Sequence, residues 1–169
     1  RRKSGEDTGD LLSMLLMAQD EDDGGQMSYE QIRDECLTIF LAGHETTANA
    51  LTWTWYLLSQ HPEIEAKFHA EIDQAFGEKE ILSAADYPKL KYTEAVLAES
   101  MRLFPPAWGL GRLAMQEHEL GNYQVPAGSL ILMSMYVLQH DERFWEDAND
   151  FKPHRFLHEN AIKEASNKF

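Results

Sequence analysis

Apolar residues crowd together at Leu11, Leu12, Met14, Leu15, Leu16 and Met17, and this block predicts a short helix over Leu11–Gln19 capped by Asp10. Asp20-Glu21-Asp22-Asp23-Gly24-Gly25 then reads as a solvated loop. Ser28 followed by Gln31 has the form of a capping box, and no proline intervenes before Pro62, so one helix is predicted from Ser28 to Ser59. At roughly 1.5 Å per residue it would be about 48 Å long. A compact chain of 169 residues is only roughly 40 Å across. From Cys36 to Leu58 the helix is apolar nearly all round, broken by the polar knot His44-Glu45-Thr46-Thr47. A helix apolar on every face needs partners on every face. It is therefore expected to be the central core helix of a larger protein, with Glu45 as a buried carboxylate there, and to expose apolar surface over Cys36–Leu58 in this chain alone.

Pro62 starts the next helix at a first-turn position, Ile64, Phe68, Ile72, Ala75 and Phe76 recur at helical spacing, and Gly77 ends it. Ser83–Tyr87 reads as one short turn. Leu90–Phe104 is a further helix stopped by Pro105-Pro106, with Ala95, Val96, Ala98, Met101 and Leu103 interleaved with Glu94, Glu99 and Arg102. The texture then changes. Short strands are predicted at Gly111–Met115, Tyr123–Val125 and Leu130–Met135, with turns at Gly121-Asn122 and Pro126-Ala127-Gly128. The stretch from His140 to Phe169 reads as irregular and aromatic. The expected fold class is mainly α with a small β patch, in a single partial domain over 1–169 whose residues 1–8 are a frayed lead-in.

Composition narrows the function. The chain has 15 Lys and Arg against 29 Asp and Glu, a net charge of −14, which argues against nucleic acid as a partner. The single cysteine, Cys36, rules out an internal disulfide framework and a four-cysteine zinc site, and reads as a small buried hydrophobe. No signal peptide follows the N-terminus, and the setting is expected to be cytoplasmic. A membrane span through Glu45 would cost roughly 2.5–3.5 kcal/mol at mid-bilayer, so that reading of the long helix is poor.

Three constellations remain. In Ala42-Gly43-His44-Glu45-Thr46-Thr47 a carboxylate and two hydroxyls interrupt an apolar helix that Gly43 weakens by roughly 1 kcal/mol. A threonine hydroxyl can bond back to the carbonyl four residues earlier. Together these predict a local groove where a ligand meets backbone. A zinc-protease reading of His44-Glu45 needs a second histidine at position 48, which is alanine. Glu99 and Arg102 lie on one helix face, a spacing that by itself favours an ordinary surface pair. Arg155 sits between Phe151 and Phe156 in irregular chain.

Taken in order, the three resemble the cytochrome P-450 family, the haem-thiolate monooxygenases. Ala42-Gly43-His44-Glu45-Thr46-Thr47 is similar to that family's oxygen-activation motif, Glu99-x-x-Arg102 to its invariant pair, and Pro153-x-Arg155-Phe156 to the motif completing a Glu-Arg-Arg triad. Pro105-Pro106 followed by Arg112 resembles the segment passing the haem edge, and His140-Asp141-Glu142-Arg143-Phe144-Trp145 the run before the triad arginine. The likeness extends over about residues 9–169. His154 departs from it, where an acidic residue is usual. So does the absence of the Phe-x-x-Gly-x-x-x-Cys-x-Gly haem loop, whose cysteine is expected beyond Phe169.

The resemblance implies haem b, O2, and NAD(P)H acting through a reductase or ferredoxin, with a small organic or lipid-like substrate. It implies catalytic roles for Glu45 and Thr46, haem contacts from Ala42, Gly43 and Arg112, and a structural triad of Glu99, Arg102 and Arg155. It further implies a substrate pocket with Thr47, Ala107, Trp108 and Gly109, no metal ligand in this chain, and an inactive fragment when isolated. The rival expectation is a helical interaction module without catalysis.

Overall fold

The computed structural model describes residues 5, 7–22, 24–77 and 83–157. The expected frayed start lies largely outside them. The elements in order are α1 (Leu11–Met17), α2 (Tyr29–Gln60), α3 (Pro62–Phe76), α4 (Lys91–Leu103), β1 (Gly109–Leu113), β2 (His118–Leu120), β3 (Tyr123–Val125), β4 (Leu130–Ser134) and α5 (Met135–Gln139). Two 3₁₀ turns, Ala84–Lys89 and Pro153–Phe156, complete the set. The chain divides into two compact units, Arg1–Thr47 and Ala48–Phe169, and α2 contributes residues to both.

In the first unit, the Asp10 side chain accepts from the Ser13 backbone N–H at 2.8 Å and caps α1. The acidic loop closes through Asp20 N–H to the Gly25 carbonyl at 2.8 Å, and Gly24 takes a left-handed φ of 70°. The capping box opens α2. Ser28 N–H donates to Gln31 Oε1 at 2.7 Å, and Gln31 N–H to Ser28 Oγ at 3.1 Å.

In the second unit, Leu57, Leu58, Ile64, Phe68, Val96, Leu103 and Phe151 form the core. Ile64, Phe68 and Ile72 fall four residues apart, which puts them on one stripe of α3. Each fully buried leucine here contributes about 1.5–3 kcal/mol by leaving water. The C-terminal part of α2 is tied to α4 twice. Trp53 stacks on Phe104 with ring centres 4.2 Å apart, and the buried hydroxyls of Thr54 and Ser100 lie 2.9 Å apart. Glu71 of α3 caps α4 from outside, its carboxylate accepting from the backbone N–H groups of Tyr92 at 2.7 Å and Thr93 at 2.8 Å. Phe104 leaves helical geometry at φ −128°, ψ 72°, as a residue before proline must.

Beyond α4 the strands form two separate antiparallel pairs. β1 runs against β4 from Gly109↔Ser134 to Leu113↔Leu130, and β2 against β3 around a two-residue turn at Gly121-Asn122. β2 and α5 were not expected from the pattern, and β1 begins two residues earlier than predicted because its register is set by β4. No helix among the described residues is long and apolar enough to cross a membrane.

Burial of α2 on every face was expected only within a larger protein, and the exposed apolar surface expected over Cys36–Leu58 of this chain is present. Of its residues only Ile32, Thr54, Leu57 and Leu58 are buried, while Leu37, Ile39, Phe40, Leu41, Leu51, Trp53, Trp55 and Tyr56 are exposed. Cys36 is half-buried rather than enclosed. An apolar circumference states a demand for partners; the described elements cover only part of it.

Candidate functional site

Glu99 and Arg102 stand one turn apart on α4 and are 0% and 3% exposed. Arg102 Nε donates to Glu99 Oε2 at 2.7 Å, and Nη2 to Oε1 at 2.9 Å. Its other protons go to main chain. Nη1 donates to the carbonyls of Gln139 at 2.7 Å and Ala148 at 2.8 Å, and Nη2 to that of Asp150 at 3.2 Å. All the donors of the planar fork are thereby engaged. The ring of Trp145 lies 5.1 Å from the guanidinium carbon, in cation–π range.

Arg155 comes from the Pro153–Phe156 turn. Its Nε donates to Glu99 Oε1 at 3.2 Å, and its Nη2 to the Asp147 carbonyl at 2.9 Å. The Lys152 backbone N–H donates to the same Oε1 at 2.9 Å. One carboxylate thus faces two guanidinium groups, and the surplus positive charge is met by backbone carbonyl dipoles. Buried ions are tolerated only when their hydrogen bonds are complete, as they are here. Such an arrangement holds chain segments together; it offers no free group for reaction.

The Ala42–Thr47 motif lies in the first unit, and all six residues are exposed. Glu45, expected as a buried carboxylate, is therefore solvent-facing, because no described element covers that stretch of α2. The expected groove is not a break in the helix, which continues through Gly43. What exists is a bare flank: a Cβ placed on Gly43 would meet nothing within 4 Å. Thr46 Oγ1 donates to the Ala42 carbonyl at 2.7 Å. With its proton committed there, the hydroxyl presents its lone pairs outward as an acceptor. His44 stacks on Phe40 with ring centres 5.7 Å apart.

In the second unit, Ala107, Trp108, Gly109 and Arg112 follow one another along an exposed strip, with Trp108 at 67% exposure. The strip is fixed by its backbone: the Trp108 carbonyl accepts from Met135 N–H at 2.8 Å. Arg112 donates through Nη1 to the Gly111 carbonyl at 2.8 Å and keeps its other donors free for a carboxylate among the described residues. The structure thus brings Glu99, Arg102 and Arg155 into one cluster, sets Arg112 beside the candidate pocket residues along one strip, and keeps Glu45, Thr46 and Thr47 within one turn of α2. No cluster of three or more metal-holding side chains occurs among the described residues.

Half-buried Asp141 and exposed Arg143 pair in the segment leading to Trp145, with Arg143 Nε 2.9 Å from Asp141 Oδ1. Side-chain and backbone hydrogen bonds from Arg143 lower the Asp141 carboxyl from 3.8 to about 2. A depressed carboxyl contributes stability that is present above its unfolded value and lost as the pH falls through its folded one. Asp141 is therefore expected to titrate with a midpoint near 2 by carboxyl carbon NMR. A midpoint in the ordinary aspartate range would show that the pair does not persist in solution.

The family model of cytochrome P-450 matches residues 1–169. The chain belongs to the cytochrome P-450 family. Among its relatives is cyclooctatin synthase of Streptomyces melanosporofaciens, 46% identical over 92% of this chain and 34% of its own length. Pentalenene oxygenase of Streptomyces avermitilis is 40% identical over 88% of this chain and 32% of its own. A retinoic-acid-bound cyanobacterial CYP120A1 superposes with a TM-score of 0.84 at 30% identity, over 92% of this chain and 35% of that one. The chain thus spans about a third of the length of these cytochrome P-450 proteins.

Sequence reasoning did not place Trp145 or the backbone partners Gln139, Asp147, Ala148, Asp150 and Lys152 in the cytochrome P-450 cluster. Trp145 was legible as the end of the family-like run His140–Trp145 but not as a partner of Arg102, and nothing marked Gln139 or Lys152 as members. Gln139 acts through its carbonyl and Lys152 through its N–H, groups that every such residue has.

Proposed function

We propose that this chain is a segment of one cytochrome P-450 domain and serves a haem-dependent monooxygenase, which inserts one atom of O2 into a small organic or lipid-like substrate. The observation that carries the reading is the family match over residues 1–169, together with an exposed Ala42–Thr47 turn whose hydroxyl faces outward as an acceptor.

Haem b suits the residues present. Ala42 and the open flank of Gly43 offer a surface on which a flat macrocycle could lie. For Arg112, which has unspent donors, contact with a propionate rests on the family resemblance alone. When bound through a thiolate from outside these residues, haem supplies the iron that activates O2, and the thiolate favours O–O cleavage. Thr46 Oγ1 accepts a hydrogen bond from a water and holds it beside the helix. Glu45, one residue before, would take a proton from solvent and hand it to that water as the water passes one of its own onward, leaving Glu45 ionised to repeat the step. Thr47 points about 100° further round and would face substrate, and Ala107, Trp108 and Gly109 are assigned to substrate contact on the family resemblance alone. Glu99, Arg102 and Arg155 take no part in proton transfer and keep the region in shape.

Electrons come from NAD(P)H through a reductase or ferredoxin, in a cytoplasmic setting. Pentalenene, named for one relative, illustrates the class of substrate proposed. The isolated segment is expected to be inactive. The deciding experiment is Thr46→Ala in the full-length polypeptide carrying these residues. Substrate binding should persist while more peroxide is released per reducing equivalent. Unchanged coupling of electron use to product would remove Thr46 from the mechanism.

A further inference from the structure

We propose that Lys152 is a positioning residue, which holds residues 147–150 in the one backbone shape that delivers their carbonyls to Arg102 and Arg155. Its two ends work on two layers. The backbone N–H donates to Glu99 Oε1 at 2.9 Å, inside the buried cluster. The ammonium meets the Asp147 carboxylate and lies 3.0 Å from Asp150 Oδ2, outside it. The carbonyls of those two aspartates, with that of Ala148 between them, are the ones in this segment that Arg155 and Arg102 use.

Asp147 is the place where this shape is hardest to hold. It is the one non-glycine residue with positive φ among the described residues, at 48°. A side chain in that region crowds its own carbonyl, and aspartate tolerates the crowding better than most residues. The left-handed turn at 147 aims its carbonyl at Arg155 and starts the chain back toward Arg102. Lys152 fixes the carboxylate of the strained residue itself. Mutual hydrogen bonding lowers the Asp147 carboxyl and raises the Lys152 ammonium, in keeping with a persistent contact.

The rival is an ordinary surface ion pair. The Lys152 side chain is 30% exposed and those of Asp147 and Asp150 are 54% and 60% exposed, so the attraction alone is worth little. The two readings separate at position 147. If the contact matters as an ion pair, Asp147→Ala and Asp147→Gly lose it equally. If it matters because it holds a left-handed backbone, glycine restores that backbone without any carboxylate and alanine does not.

The inference concerns how the cluster is held and stands apart from the oxygenation chemistry. In the full-length polypeptide, hydrogen exchange would be followed at the residue-152 amide, the donor to Glu99, with the Val96 amide of α4 as reference. Exchange at 152 is expected to speed up about tenfold in Lys152→Met and in Asp147→Ala. It should stay within about twofold of the parent in Lys152→Arg, which restores the charge, and in Asp147→Gly. Should Lys152→Met fail to fold, Lys152→Gln replaces it beside the alanine and glycine variants at 147. Equal exchange in those two, or a Lys152→Met protein indistinguishable from the parent, would overturn the proposal.

Discussion

Replacing Glu99 by alanine is expected to destabilise the protein by about 3–5 kcal/mol, the usual cost of leaving a buried charge without its partner. The loss falls on both arginines at once. Arg102 gives up its two bonds to Glu99 while remaining 3% exposed, and Arg155 loses the acceptor of its Nε. Arg33→Ala serves as the control, because Arg33 and Asp34 pair with side chains 65% and 63% exposed and are expected to contribute about 0–1 kcal/mol. Chemical denaturation of the full-length polypeptide measures both. Equal small effects at Glu99 and Arg33 would mean that the cluster is not closed to water in solution.

The second large effect is expected on rate. Glu45→Gln keeps size and hydrogen-bonding capacity and removes the group that takes up a proton. If Glu45 relays protons to a water held at Thr46, product formation should fall about 10²-fold or more, with substrate affinity retained. Turnover should recover least where proton supply limits it, so the rate under excess reductant is the informative measurement. Full turnover in Glu45→Gln would assign the relay to another group.

What was legible beforehand was local chemistry. The Ser28–Gln31 box, Pro62 at the start of α3, Gly77 at its end and Pro105 after α4 act within one turn of chain, and each element bound they signal lies within a residue or two of its observed place. Burial was another matter. Glu99 and Arg102 have the spacing of a surface pair, and nothing within α4 says otherwise. They are enclosed because residues 139–155 fold over them, some 37 to 56 positions further along the chain. The family resemblance supplied that link where spacing could not. Glu45 shows the converse: its apolar surround implied cover within a larger protein, and the described elements of this chain leave it open. β2 escaped notice because His118-Glu119-Leu120 has no alternation to read and depends on pairing with Tyr123–Val125.

Arg102 reads the main chain of the segment it gathers, and this sets what kind of change that segment tolerates. The carbonyls of Gln139, Ala148 and Asp150 would be offered equally by most other residues at those places. Except where they work themselves, as Trp145 against Arg102, Asp147 at its left-handed turn and the fully buried Ala148 do, the side chains between 139 and 148 are therefore free to drift. The count of residues is not, since adding or removing one would carry a carbonyl out of reach of a guanidinium that cannot follow it. The stretch behaves like a measured strap: its fabric can be replaced thread by thread, while its length is set by the buckle.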